Sequence, residues 1–136
     1  MTPSDREPTN PGMIRSISAV TLATSDMSRS MRFYQALGFR LRYGGEHASF
    51  TSFIAGASCL NLVAQTSGQA PASWGRVILH VTDVDWLYQH AIAQGLRPDT
   101  APSDASWGER YFHIADPDGH QLSFAKPLHP DSRADS

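Results

Sequence analysis

Val20-Thr21-Leu22-Ala23-Thr24-Ser25-Asp26 and Val77-Ile78-Leu79-His80-Val81-Thr82-Asp83 carry one pattern twice, and that repetition decides the fold. In each run apolar residues alternate and an aspartate ends the run, as in a half-buried strand that enters a helix through its N-cap. Beyond Asp26, the apolar residues Met27, Met31, Tyr34 and Leu37 recur at helical spacing until Gly38. Beyond Asp83, Val84, Leu87, Ala91 and Ile92 do the same until Gly95. Asp26 and Asp83 stand 57 positions apart, and so do Gly38 and Gly95. Each stop glycine is followed by an apolar residue and an arginine, Phe39-Arg40 and Leu96-Arg97.

Working outward, the chain turns strand-like after each helix. Residues 40–43, 48–54 and 59–64 read as strands in the first unit, parted by Gly44-Gly45 and Ala55-Gly56-Ala57-Ser58. The second unit offers a short strand near Arg97, then 110–115 and 121–125. Asp116-Pro117-Asp118-Gly119 joins the last two as a type I turn with a glycine bulge. The expected fold class is α+β: two tandem βαβββ modules whose curved antiparallel sheets form a cleft, with helices on one face. Module one spans 13–65, a linker 66–75 and module two 76–126, so that 13–126 make one domain. The tails 1–12 and 127–136 are rich in Pro, Ser and Asp and are expected to be loose, the first of them disordered.

Composition narrows the function. The 136 residues are 40% hydrophobic and 18% charged, a globular balance that can bury a core. A formal charge of −2 with scattered basic residues argues against a nucleic-acid partner. No apolar run approaches membrane-spanning length, and the N-terminal residues do not read as a signal peptide. Cys59 is the single cysteine, so no internal disulfide is possible. A cytoplasmic protein with no membrane partner is the expectation.

Strand alternation assigns the faces. Val20, Leu22, Val77, Leu79, Val81, Leu60, Leu62, Phe112, Ile114, Leu122 and Phe124 should pack under the helices. The opposite face then holds Asn61, Arg76, His80, Tyr111, His113 and Ser123, convergent polar groups that suit a ligand cavity. Trp107 and Tyr111 offer stacking surfaces, with Phe50 or Phe53 as a further one.

Asp26-Met27-Ser28-Arg29-Ser30-Met31-Arg32-Phe33-Tyr34-Gln35-Ala36-Leu37-Gly38-Phe39 resembles the first-helix signature of the vicinal oxygen chelate superfamily. That group comprises glyoxalases, extradiol dioxygenases, fosfomycin-resistance enzymes and bleomycin-resistance proteins. Trp107-Gly108-Glu109-Arg110 and Asp116-Pro117-Asp118-Gly119-His120-Gln121-Leu122 resemble its second-unit signature, so the likeness runs from about residue 14 to 124. The resemblance implies four metal-ligand positions, which fall on Ala19, Asn61, Arg76 and Ser123. None is a good ligand for a divalent cation, since such sites use imidazole and carboxylate. The expectation is therefore no metal and no cofactor, with a relocated site from His80, His113, Glu109 or His47 as the alternative.

Two functional readings remain open. The first is a metal-free protein that binds a small organic molecule in the inter-module cleft, similar to the bleomycin-resistance branch, for drug or metabolite sequestration. Its ligand-binding residues would be Asn61, Arg76, His80, Trp107, Tyr111, His113, Ser123 and Phe50, with Arg76 suited to an anionic or carbonyl-bearing guest. The second is a glyoxalase-like lyase or isomerase, or a dioxygenase-type enzyme, with His80 or His113 as general base and Arg76 stabilising an oxyanion. Cys59 as a nucleophile is a weaker version of it. The resemblance also implies a homodimer, side by side or with modules exchanged.

Overall fold

The computed structural model describes residues 11–12, 15–65 and 76–129. The expected linker 66–75 and most of both tails lie outside these. The first module runs β1 (Ala19–Thr24), α1 (Met27–Ala36), β2 (Arg40–Tyr43), β3 (Phe50–Ala55) and β4 (Ser58–Ala64). The second repeats the order with β5 (Arg76–His80), α2 (Val84–Ala93), β6 (Ser103–Asp104), β7 (Glu109–Ala115) and β8 (Gln121–Pro127). The helices start where the aspartates cap them: Asp26 accepts from Arg29 N and Asp83 from Trp86 N, both at 3.0 Å. None of the described helices is long and apolar enough to cross a membrane.

Each module forms its own four-stranded sheet, in the orders β1-β4-β3-β2 and β5-β8-β7-β6. The first strand lies parallel to the last, Leu22 opposite Leu62 and Val77 opposite Leu122, and the remaining pairs are antiparallel. The sheets are therefore mixed rather than wholly antiparallel. Among the described residues no strand of one sheet pairs with a strand of the other.

One expected strand is misplaced. The segment near Arg97 makes no ladder, and the outer strand is instead the two-residue β6 at Ser103–Asp104. Pro98 and Pro102 have no N–H to donate, so regular pairing cannot pass through them. In its place Asp99 N donates to His113 O at 2.8 Å, and His113 N donates to Thr100 Oγ1 at 3.0 Å.

A single core holds the modules together. Leu22, Phe53, Leu60 and Leu62 of the first sheet, Phe112, Ile114, Leu122 and Phe124 of the second, and Met31, Tyr34, Leu87 and Ala91 of the helices belong to one buried cluster. Phe39 bridges the modules, with its ring centroid 5.4 Å from Tyr34 and 6.5 Å from Phe124. Phe53 is fully buried against Tyr34 and Phe39, which corrects its place among the candidate stacking residues. Its register partner is Leu60, a core residue, whereas Phe50 pairs with Val63 on the opposite parity. A polar clasp supplements the core, joining the start of α1 to the β7–β8 turn through Arg29 and Ser30 to Asp118.

Candidate functional site: the open sheet faces

Because the helices cover one face of each sheet, every second residue of each strand points away from the core. On the first sheet the register row Thr21, Asn61 and Ser52 crosses the middle of that open face, with Ala19 and Cys59 in the next row. These side chains are small and uncharged. Asn61 Nδ2 donates to Thr21 Oγ1 at 3.2 Å, and Phe50 lies with its ring 5.9 Å from that of Tyr43.

The second sheet is different in chemistry. Its rows are Arg76 with Gln121, then Ile78 with Ser123 and His113, then His80 with Ala125 and Tyr111. Ser123 and Ala125 are buried and form a floor of small residues beneath the larger side chains. Arg76 Nη1 donates to His113 Nδ1 (3.0 Å), Leu122 O (3.2 Å) and Ser123 Oγ (3.2 Å), while Nη2 donates to Gln121 Oε1 (3.2 Å). Ser123 Oγ stands 2.7 Å from His113 Nδ1. A guanidinium can only donate, so His113 Nδ1 accepts and the ring proton resides on Nε2. Burial, and then the charge of Arg76, hold the His113 pKa below its ordinary 6.5.

Further along β7 the face becomes aromatic and acidic. Tyr111 is 4.8 Å from His113 between ring centroids, and Trp107 stacks on Tyr111 at 5.8 Å and 27°. Glu109 bridges two neighbours, accepting from Trp107 Nε1 at 3.1 Å and contacting His80 Nε2 at 2.7 Å. Six of the sequence-predicted residues (Arg76, His80, Trp107, Tyr111, His113 and Ser123) therefore share one side of the second module. Asn61 and Phe50 lie on the first sheet, and among the described residues no hydrogen bond or ring contact joins them to that group.

The two sheets do not close on each other within the chain. A groove of about 990 Å³ opens between β1 and β5, walled by Ala19, Cys59 and Ile54 on one side and by Arg76, Ile78 and His80 on the other. Trp86 stands at its edge, 60% exposed and stacked on His90 at 4.7 Å. Sequence reasoning missed Trp86 and Gln121. The signal for Trp86 was a large aromatic off the apolar stripe of its helix. For Gln121 it was a polar residue two places before Ser123, on the same parity.

The four positions that the resemblance assigns to metal ligands do not fit a divalent cation. Ala19 has no donor atom, and the Arg76 position brings a positive charge fastened to His113, Ser123 and Gln121. Asn61 and Ser123 offer neutral oxygens on separate sheets. Among the described residues no three His, Cys, Asp or Glu side chains are grouped to hold a metal ion. His47 lies exposed in the β2–β3 turn.

Comparison with known proteins agrees with this architecture. An uncharacterised protein of Mycobacterium bovis, Mb0911c, is 46% identical over 50 residues, covering 37% of this chain and 33% of that protein. A bleomycin resistance protein of Geobacillus stearothermophilus is 39% identical over 51 residues, covering 37% of this chain and 39% of its own length. The aligned stretches thus span little more than a third of these curated relatives. The crystal structure of a bleomycin resistance determinant encoded on transposon Tn5 superposes with a TM-score of 0.70 at 22% identity, covering 85% of this chain and all of that one. At that identity the likeness speaks for the fold. The family model described as Glyoxalase/Bleomycin resistance protein/Dioxygenase superfamily matches residues 16–124, and the chain belongs to that superfamily.

Proposed function

We propose that this protein binds a small organic molecule on the open faces of its sheets without a metal ion, in the manner of a sequestering protein. The observation that carries the reading is the set of side chains at the four family positions: no donor at Ala19, a fixed guanidinium at Arg76, and neutral oxygens at Asn61 and Ser123. Aromatic surfaces at Trp107 and Tyr111 beside a few fixed polar groups support it, since that mixture gives orientation as well as apolar contact. In this reading the chain is a cytoplasmic homodimer. The unclosed sheets support the pairing: a second copy would set its first sheet against the second sheet of this one and enclose the cleft from both sides.

A second reading is favoured by one contact. The 2.7 Å pair between His80 Nε2 and Glu109 has the form of a general base oriented by a carboxylate. It points to a lyase or isomerase that moves a proton with His80 and steadies an oxyanion with Arg76.

The test is a thermal-shift screen of the purified protein against a broad set of neutral, cationic and anionic aromatic compounds, run with and without Zn²⁺, Ni²⁺, Mn²⁺ and Fe²⁺. Binding is expected without metal, and the bound compound should be recovered unchanged after prolonged incubation. Stoichiometric metal uptake with stabilisation would overturn the metal-free reading. Conversion of a bound compound would replace sequestration with the enzyme reading, and His80→Ala would then abolish turnover.

A further inference from the structure

Among the described residues two arginines are paired with carboxylates. Arg29 is paired with Asp118 at 3.1 Å, and Arg110 sits between Asp85 and Asp104 at 2.8 Å each. Arg76 makes four hydrogen bonds of 3.0–3.2 Å, and every acceptor in them is neutral: an imidazole, a hydroxyl, a carbonyl and an amide. Among the described residues no carboxylate pairs with it. Three acceptors converge on Nη1 and one on Nη2, while among the described residues none is placed on Nε. Nε–H and the outer Nη2–H lie on one edge of the guanidinium, the edge that receives both oxygens of a carboxylate. The neutral contacts thus fix the plane of a full positive charge and leave Nε–H, among the described residues, without an acceptor, while Nη2 keeps a second proton beyond its bond to Gln121.

Its neighbours narrow the ligand further. His113 accepts through Nδ1, which leaves Nε2–H as a second donor beside the cation. Burial and the charge of Arg76 hold the His113 pKa below 6.5, so the guanidinium is the positive charge of the site, and with the Asp99 carboxylate acting on the same ring it matches a monoanion better than a dianion. From His113 a row of rings leads away along β7 to Tyr111 and Trp107. At its far end the Glu109 carboxylate would repel an acid placed the other way round.

We infer that the ligand class of this face is a planar aromatic acid, its carboxylate on the Nε–Nη2 edge of Arg76 and its rings against Tyr111 and Trp107. This rests on the small-molecule reading above and adds to it the charge, shape and orientation of the guest.

The experiment is titration of the full chain with 2-naphthoate and with its uncharged counterpart 2-naphthamide, followed by tryptophan fluorescence and by calorimetry. The acid should bind at least about tenfold more tightly than the amide, the scale expected for hydrogen bonds to a charged group. Arg76→Gln should bring that ratio to about one, and Arg76→Lys, which keeps the charge without the fork, should fall between. Phenyl phosphate should bind more weakly than the acid. Circular dichroism and melting temperature confirm that the variants fold. Equal affinity for acid and amide, acid binding that survives Arg76→Gln, or preference for the phosphate would overturn the inference. No binding of either naphthyl probe overturns it as well. The broad screen then separates the cases: a neutral or cationic hit leaves the small-molecule reading standing, and an empty screen removes both.

Discussion

The Tyr34 hydroxyl donates to Asp116 Oδ2 at 2.6 Å, joining residues 82 positions apart and both buried. Burial, reinforced by Asp116, drives the phenol pKa far above its usual 10.0, so the proton stays on Tyr34. The other oxygen of Asp116 accepts from the backbone N–H groups of Asp118 and His120. Asp118 in turn takes Ser25 N, Ser25 Oγ, Ser30 Oγ and Arg29 Nη2. The first helix of one module and the last turn of the other are thus locked by a connected polar network inside a shared core.

Removing the phenol oxygen leaves a buried carboxylate one donor short. Tyr34→Phe is expected to cost about 1–3 kcal/mol in urea unfolding at neutral pH. Tyr43→Phe is the control: that ring is exposed, and its change should stay within about 0.5 kcal/mol.

The two aspartates of the clasp should respond to acid in opposite directions. Burial raises the Asp116 pKa above 3.8 despite its hydrogen bonds, so the ionised group opposes folding and that penalty is relieved as pH falls through the folded pKa. At Asp118 burial pushes upward too, but bonds from Ser25, Thr24 and Ser30 outweigh it and hold the pKa below 3.8. Its stabilisation is complete above 3.8 and is lost as pH drops through the folded value. In stability measured from about pH 7 down to about pH 3, Asp116→Asn should make the acid limb steeper and Asp118→Asn shallower.

His113 gives a direct spectroscopic handle. Its imidazole should titrate below 6.5 by NMR, and Arg76→Gln should raise it only part of the way, because burial is the larger cause. A base whose pKa is lowered by folding costs stability as pH falls from 6.5 toward the folded pKa. Arg76→Gln should therefore soften the stability loss in that window. An unchanged titration in the variant would refute the contact.

Gly44 faces a double restriction. Its φ is +102°, and a Cβ there would stand 2.6 Å from Phe50 O and 2.7 Å from Thr51 Cα. Gly38 has the same φ but open space around it. Gly38→Ala should cost about 1–2 kcal/mol from the backbone alone, and Gly44→Ala distinctly more, read as melting temperature.

Ser52 is fully buried, and its hydroxyl has no partner among the described residues. Ser52→Ala removes a desolvated polar group at little packing cost and should leave stability unchanged or raise it by up to about 1 kcal/mol. A clear loss would mean that the hydroxyl is satisfied in solution.

Much of the fold was legible because its signals are local. Asp26 and Asp83 cap, Gly38 and Gly95 stop, and both pairs recur at one spacing. Parity also separated Leu60 and Leu62 from Asn61, and Phe112 and Ile114 from Tyr111 and His113. The failures are non-local or involve a broken rule. Prolines at 98 and 102 moved the outer strand to Ser103–Asp104, and Phe53 entered the core because its parity differs from that of Phe50. The pairing of Arg76 with Gln121 depends on the register of a parallel ladder between segments 45 positions apart, which no local pattern encodes. Alternation also says which side of its own sheet Asn61 or Ser123 faces, but not how far one sheet lies from the other.

The alternation within each strand has an evolutionary consequence. Leu122 and Phe124 anchor the fold on one side of β8, while Gln121 and Ser123 look out on the other, so neighbouring codons answer to different selective demands. Replacement of the outward set leaves the inward set in place. If the outward face binds a guest as proposed, a lineage built on these ladders is free to exchange one guest chemistry for another by a few substitutions, without passing through an unfolded ancestor.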